Sequence, residues 1–191
     1  MSRPSSPNSP PAVILVRPRE EGNVGSAARA MANMGLSELV LVDPAASLGT
    51  TARMFAVGAR HVLDASRREN SIDDALAPYQ RVIGTTSTRD RRMDTPLLTP
   101  RDLPLFLAED PEGTPTALVF GPEVGGLTNE ELARAHAIVH IPCAPEQPTL
   151  NLAQAVLLVI YELWIARLNR GSAHAAPAVD VKLFSFLPSP R

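Results

Sequence analysis

Three short stretches carry side chains that could do chemistry together. The segment PTLNLAQAVLLVIYELW (148–164) opens with a hydroxyl and an amide, Thr149 and Asn151, at the mouth of a long apolar helix. Either can cap that helix, but only one can occupy the cap position, which leaves the other free for a ligand. FGPEVGGLTNEEL (120–132) sets the carboxylate of Glu123 among Gly121, Gly125 and Gly126, where the backbone can approach a ligand closely. REEGNVGSAARAMANMG (19–35) places Asn23 at a helix start, as a predicted N-cap, with Arg29 six residues on among small alanines. Arg29 is read as lying on roughly the same side as Asn23. Free helix N–H groups and one guanidinium suit an anion or a nucleotide. Glu123 could orient a guanidinium, and Arg29 is its candidate partner.

Such side chains need a frame, and the rest of the chain supplies one. Apolar runs at 12–16, 39–42, 81–86, 116–121 and 137–142 alternate with helical patterns at 23–35, 129–135 and about 150–168. The alternation predicts an α/β fold with a mainly parallel sheet. The strands are apolar throughout, as burial on both faces requires. Ligands bind at the carboxyl ends of parallel strands, and each polar stretch is close to a strand of this kind. Thr128, with Glu131 three residues later, forms a predicted capping box for the second helix. No internal repeat is visible. Residues 1–11, with Pro4, Pro7, Pro10 and Pro11, are expected to be a disordered tail. The domain is expected to span 12–170, and 171–191 to form a C-terminal tail with one apolar patch, VKLFSFL, suited to docking or to a loose end.

The 191 residues suffice for one domain with tails, and their formal net charge of −2 advertises no nucleic acid or anionic membrane. A local basic patch can still serve on a neutral protein. Cys143 is the single cysteine. There is no disulfide pair and no Cys-x-x-Cys clip, so no metal is expected, and a reducing cytoplasm is the natural compartment. Neither a signal peptide nor a membrane span is expected: the longest apolar run, 155–161, falls far short of the roughly 20 residues a bilayer demands. Gly22 and Gly25 do not make a dinucleotide fingerprint, and no Walker loop is present. His136 and His140 flank a strand and are read as structural.

Taken in order and spacing, NVGSAARAMANMG, FGPEVGGLTNEEL and IPCAPEQPTLNLAQAV resemble the three motifs of the SpoU/TrmH class of RNA ribose 2′-O-methyltransferases, closest to the TrmJ branch, which acts on the tRNA anticodon loop. The resemblance covers about 12–168. It implies a SPOUT fold, in which the C-terminal segment threads a deep trefoil knot, and a homodimer with the final helix in its interface. It implies S-adenosylmethionine as cofactor, held by Thr85, Thr86 and Ser87, by Gly121 with Glu123, and by Ile141 with Leu150, Asn151 and Leu152. Arg29 would be catalytic, with Asn23, Glu123 and Asn151 around it. The implied activity is 2′-O-methylation of a cytidine or uridine ribose in tRNA, with RNA lying across both subunits. No DNA partner is expected.

Some positions depart from the family pattern. Thr149 stands where Ser is usual, while Pro122 and Gly125 stand where basic residues are frequent. With no separate RNA-binding domain visible, the domain itself is expected to grip RNA, through Arg29 and through Arg89, Arg91 and Arg92 of STRDRR. The helix-side arginines Arg53, Arg60, Arg67 and Arg68 are further available charges. Three rival readings stay open: a methyltransferase for rRNA, a knotted protein that binds RNA or S-adenosylmethionine without turnover, and a doubly wound nucleotide-binding enzyme of another class, against which the missing glycine fingerprints count. A guanidinium keeps its proton, so Arg29 is expected to stabilise a developing alkoxide as a donor rather than to act as a base.

Overall fold

The computed structural model describes residues 10–87 and 95–172. Seven strands form one sheet in the order β3-β2-β1-β6-β4-β7-β5. They are β1 (Ala12–Val16), β2 (Leu39–Val42), β3 (Arg67–Glu69), β4 (Arg81–Thr86), β5 (Leu97–Leu98), β6 (Thr116–Phe120) and β7 (Ala137–His140). Every pairing is parallel, as the apolar runs implied. The interior strand β1, beside the central β6, is buried at all five positions. Two short edge strands, β3 and β5, were not visible in the sequence. RRE and LL are too brief and too polar or too plain to carry a period, and they form only because a neighbouring strand offers a ladder.

Helices cover both faces. They are α1 (Glu21–Asn33), α2 (Thr50–Phe55), α3 (Arg60–Asp64), α4 (Ile72–Leu76), α5 (Leu103–Leu107), α6 (Asn129–Leu132) and α7 (Leu152–Ser172). Alternate strand residues serve two cores. Val13, Leu15, Leu39, Leu41, Ile83, Leu118 and Val139 pack with α1, α3 and α7. Ile14, Val40, Val82, Val119 and Ile138 pack with α4 and α6. Arg67 and Arg68 therefore lie on a strand, not on a helix side as expected. Arg67 pairs with Glu69 and Tyr79 there, and Arg53 pairs with Asp64.

Helix α1 sits close to its neighbours because its inner face is Val24, Ala27, Ala28 and Met31. At Gly25 a Cβ would stand 2.9 Å from Phe55 Cβ and closer still to Ala52 O, so α2 can touch the α1 backbone. Helix α7 buries Leu152, Ala153, Val156, Val159 and Ile160, an i, i+3/i+4 stripe. Leu157, Leu158 and Tyr161 on its other side are exposed. By length and composition α7 could cross a bilayer, but its buried stripe is part of the sheet's core. The helix expected to end near Leu168 runs on to Ser172.

Candidate active site

The carboxyl ends of β4, β6 and β7 meet around a cavity of about 350 Å³. Thr85, Thr86 and Ser87 reach it from the end of β4, Gly121, Pro122, Glu123, Gly125 and Gly126 from the loop after β6, and Ile141, Cys143, Pro148, Thr149 and Leu150 from the loop after β7. Leu152 and Ala155 of α7 close it. The sequence-predicted cofactor residues Thr85, Thr86, Ser87, Gly121, Glu123, Ile141, Leu150 and Leu152 all line this space. Asn151 does not; it stands beside the cavity and lines a neighbouring groove between α1, α2 and α7.

Gly121 shows how closely the loop packs on the end of β6. A Cβ there would lie 2.8 Å from Gly126 Cα and closer still to Gly126 C and Leu127 N. The loop folds back over its own strand end, and no side chain fits between.

One hydrogen-bonded chain links the three motif segments. Asn151 Nδ2 donates to Asn23 Oδ1 at 2.7 Å. Asn23 Nδ2 donates to Glu123 Oε1 at 2.9 Å. Glu123 also accepts the backbone N–H groups of Arg19 and Glu20 at 3.0 and 3.2 Å. Burial, the largest single influence, pushes the Glu123 carboxyl up. The bonds from Asn23, from its own backbone and from Arg19 and Glu20 reverse that, and its pKa lies below the ordinary glutamate value. Glu123 is thus a committed acceptor at the start of α1.

Two expectations about these residues need correction. Asn23 is not the cap of α1. Glu20 occupies that position and offers no side-chain cap bond, while Asn23 sits inside the first turn and spends both ends of its amide on Glu123 and Asn151. Nor does Glu123 hold Arg29. Arg29 is exposed, and among the described residues it has no hydrogen-bond or ion-pair partner. At 3.6 residues per turn, six residues carry a side chain to a direction about 120° away, not back to the same side.

The choice between Thr149 and Asn151 is settled by the backbone. Asn151 Oδ1 accepts from Ala153 N at 2.9 Å and Gln154 N at 3.4 Å, and Gln154 Oε1 accepts from Asn151 N. Asn151 is the cap of α7, in a reciprocal box with Gln154, and Thr149 is left to line the cavity. The second expected box is present as well, between Thr128 and Glu131.

His136 is structural: its Nδ1 accepts from Val82 N at 3.0 Å. His140 is buried at the end of β7, and its Nδ1 has no partner among the described residues. Arg89, Arg91 and Arg92 lie outside the described residues. Sequence reasoning did not place Cys143 in the site and did not single out Arg17. Cys143 follows a strand within the third motif, which was a usable signal. Arg17 follows β1 directly and forks onto Glu131 across 114 positions, and no local pattern announces such a pair.

The arrangement offers hydroxyls on one side, bare backbone on a second and apolar side chains on a third, with an organised amide–carboxylate rim. It can enclose a ligand with an apolar body and polar edges. Comparison with known proteins narrows the ligand. The profile of the SpoU rRNA Methylase family matches residues 10–161. The tRNA (cytidine/uridine-2′-O-)-methyltransferase TrmJ of Pectobacterium atrosepticum is 44% identical over 158 residues, which are 83% of this chain and 65% of the relative. The tRNA (cytidine/uridine/adenosine-2′-O-)-methyltransferase TrmJ of Pseudomonas aeruginosa is 48% identical over 81% of this chain and 61% of its own. The chain thus spans somewhat under two thirds of the length of these relatives. The crystal structure of TrmJ from Z. mobilis ZM4 superposes with a TM-score of 0.75 at 36% identity, covering 95% of this chain and 73% of that one. Its parallel sheet and flanking helices match, consistent with the knotted SPOUT fold.

Proposed function

Because the chain belongs to the SpoU rRNA methylase family, we propose that it is a cytoplasmic enzyme that transfers a methyl group from S-adenosylmethionine to a ribose 2′-hydroxyl of tRNA. The names of its relatives favour a cytidine or uridine of tRNA over an rRNA target. The observation that carries the reading is the cavity where three separate loops meet beside the Asn151–Asn23–Glu123 chain.

The residues present suit the cofactor. Gly125 and Gly126, which have nothing within 4 Å of where a Cβ would stand, leave open backbone beside the cavity for a flat group. Ile141, Leu150 and Leu152 would pack on the adenine, while Thr85, Thr86 and Ser87 would meet the polar edges. When bound, the sulfonium would supply an electrophilic methyl, its S–C bond breaking as the O–C bond forms and its sulfur leaving as a neutral thioether.

The side chains then have separate tasks. Glu123 is held by three N–H donors and has a lowered pKa, so it is a poor proton acceptor and serves to order α1 against the loop. Asn23 and Asn151 carry that order to the start of α7. Arg29 is exposed on α1 and uncommitted among the described residues. It would meet the substrate, donating to the alkoxide that forms as the hydroxyl loses its proton to water. One well-placed donor of this kind is worth roughly 3 kcal/mol of transition-state stabilisation.

A homodimer is part of this proposal. The exposed Leu157, Leu158 and Tyr161 on α7 form an apolar surface that a second copy would cover. RNA would run across both subunits, gripped by Arg29 and by Arg89, Arg91 and Arg92. The test is a methyl-transfer assay on total tRNA with the wild type and Arg29→Ala. The expected result is transfer by the wild type and a loss of at least about a hundredfold in the variant. Equal methylation by both would overturn the role of Arg29. A wild type that binds S-adenosylmethionine but never transfers it would favour the reading as a binding protein.

A further inference from the structure

The loop after β6, residues 121–127, lines the cavity, yet little of its own backbone holds it. Residues 123–125 form a single turn, and among the described residues no backbone–backbone hydrogen bond ties 122–126 to the rest of the fold. Gly125 and Gly126 both sit at positive φ, 86° and 64°. The loop is therefore fixed from outside. Glu123 ties its middle to Arg19, Glu20 and Asn23. Its exit, where Leu127 is buried and Thr128 starts α6, is tied by Glu131.

Glu131 does more than complete a capping box. It accepts Thr128 N at 2.8 Å, and its two oxygens take the guanidinium of Arg17 at 2.5 and 3.1 Å. The Glu131 side chain is only 9% exposed, against 37% for Arg17. Without Arg17, a nearly buried carboxylate would keep only its local cap bonds, and water would have to reach it or it would have to move out. Arg17 is itself firmly seated. Its N–H continues the β1–β2 ladder to Val42 O at 2.7 Å, and its φ of 47° turns the chain sharply at the strand end. The fork thus joins the end of β1 to the exit of the loop.

Movement there would be felt in the cavity. Gly126 and Leu127 lie directly against Gly121, with no space for a methyl group between them. We propose that Arg17 is a positioning residue of the methyl-donor pocket: its fork to Glu131 sets where the glycine loop leaves the sheet, and so the shape of the cavity. The proposal rests on the cavity being the S-adenosylmethionine site.

The test uses the full chain as wild type, Arg17→Met, Arg17→Lys and Glu131→Gln. It measures S-adenosylmethionine affinity by calorimetry, kcat and KM in methyl transfer, and amide hydrogen exchange without cofactor. Arg17→Met is expected to weaken binding about five- to tenfold, as loss of a half-exposed bidentate pair implies. Its kcat at saturating donor should stay within about twofold, because the residue acts through binding alone. Exchange should quicken in residues 122–128 while β1 and β6 stay protected. Arg17→Lys should recover part of the affinity, and Glu131→Gln should resemble Arg17→Met. Unchanged affinity and unchanged loop exchange in Arg17→Met would overturn the proposal. So would faster exchange spread evenly over the sheet, which marks a general stabilising pair. If the wild type itself fails to bind S-adenosylmethionine, the cofactor reading falls. Loop exchange then still decides the tether: faster in Arg17→Met supports it, and equal to wild type refutes it.

Discussion

Gly121→Ala and Gly25→Ala form a matched pair that separates the pocket from the fold. Each glycine faces backbone atoms closer than 3.0 Å to where a Cβ would stand, a separation that ordinary contacts do not show. At Gly121 those atoms belong to Gly126 and Leu127, in the loop that lines the cavity. At Gly25 they belong chiefly to Ala52 of α2, in the α1–α2 contact. Backbone cannot rotate away as a side-chain tip can. Inserting one methyl against it costs about 1–3 kcal/mol. For Gly121→Ala the loop is the softer partner, so the displacement should appear in the pocket. Expressed wholly in binding, that cost is a loss of roughly 5- to 150-fold in S-adenosylmethionine affinity. The melting temperature should change little, since of the loop only Pro122 and Leu127 are buried. Gly25→Ala should do the reverse: a melting temperature lower by several degrees, with near-normal affinity in the folded fraction. Calorimetry and thermal unfolding on both variants provide the assay. If Gly121→Ala binds the cofactor like the wild type, the cavity is not the site that these loops were taken to build.

Four further outcomes are expected. Asn151→Ala removes the cap of α7 and the link to Asn23, and should cost about 1 kcal/mol of stability in chemical denaturation; an unchanged midpoint would contradict the cap assignment. Arg17 lowers the Glu131 pKa, mainly through its hydrogen bond. A carboxylate with a lowered folded pKa stabilises the fold above its unfolded pKa, and that share is lost as pH falls through the folded value. Melting temperature should therefore drop on acidification below the ordinary glutamate range, and less steeply in Glu131→Gln; parallel curves would remove Glu131 as a contributor. Leu158→Glu places a charge on the exposed apolar face of α7 and should halve the mass seen by light scattering; a dimer that survives it uses another surface. Arg29→Ala should leave S-adenosylmethionine affinity unchanged, because Arg29 does not line the cavity; weakened binding would move Arg29 into the cofactor site.

The sheet was legible because its five long strands are apolar runs buried on both faces, and the order of polar stretches after them pointed to one end of the sheet. What was missed has a common cause. β3 and β5 exist through pairing with a neighbour, not through their own residues. Helices α2 to α5 have five or six residues each, too few for a period to show. Within the site, residues close in sequence were read in part. The cap of α7 and the Thr128–Glu131 box were among the candidates, but Asn23 does not cap α1 and Arg29 does not lie on its side. The box of Thr128 and Glu131 needs only local spacing. Partners across the fold were missed. Glu123 was paired with Arg29 on charge alone, whereas the backbone N–H groups of Arg19 and Glu20 and the amide of Asn23 satisfy it. Donors in the main chain leave no mark on a sequence. Arg17 and Glu131 are opposite charges 114 positions apart, and only the β1–β6 pairing explains why they meet.

The central claim is that the three-loop cavity delivers a methyl group to a sugar oxygen of RNA. The most direct measurement incubates the protein with S-adenosylmethionine labelled in its methyl group and total tRNA, then locates the label by nucleoside mass spectrometry. The expected result is label on a ribose 2′-oxygen of a pyrimidine nucleoside, lost in Arg29→Ala and reduced in Gly121→Ala. Label on a base, or no transfer by a wild type that binds the cofactor, would contradict it.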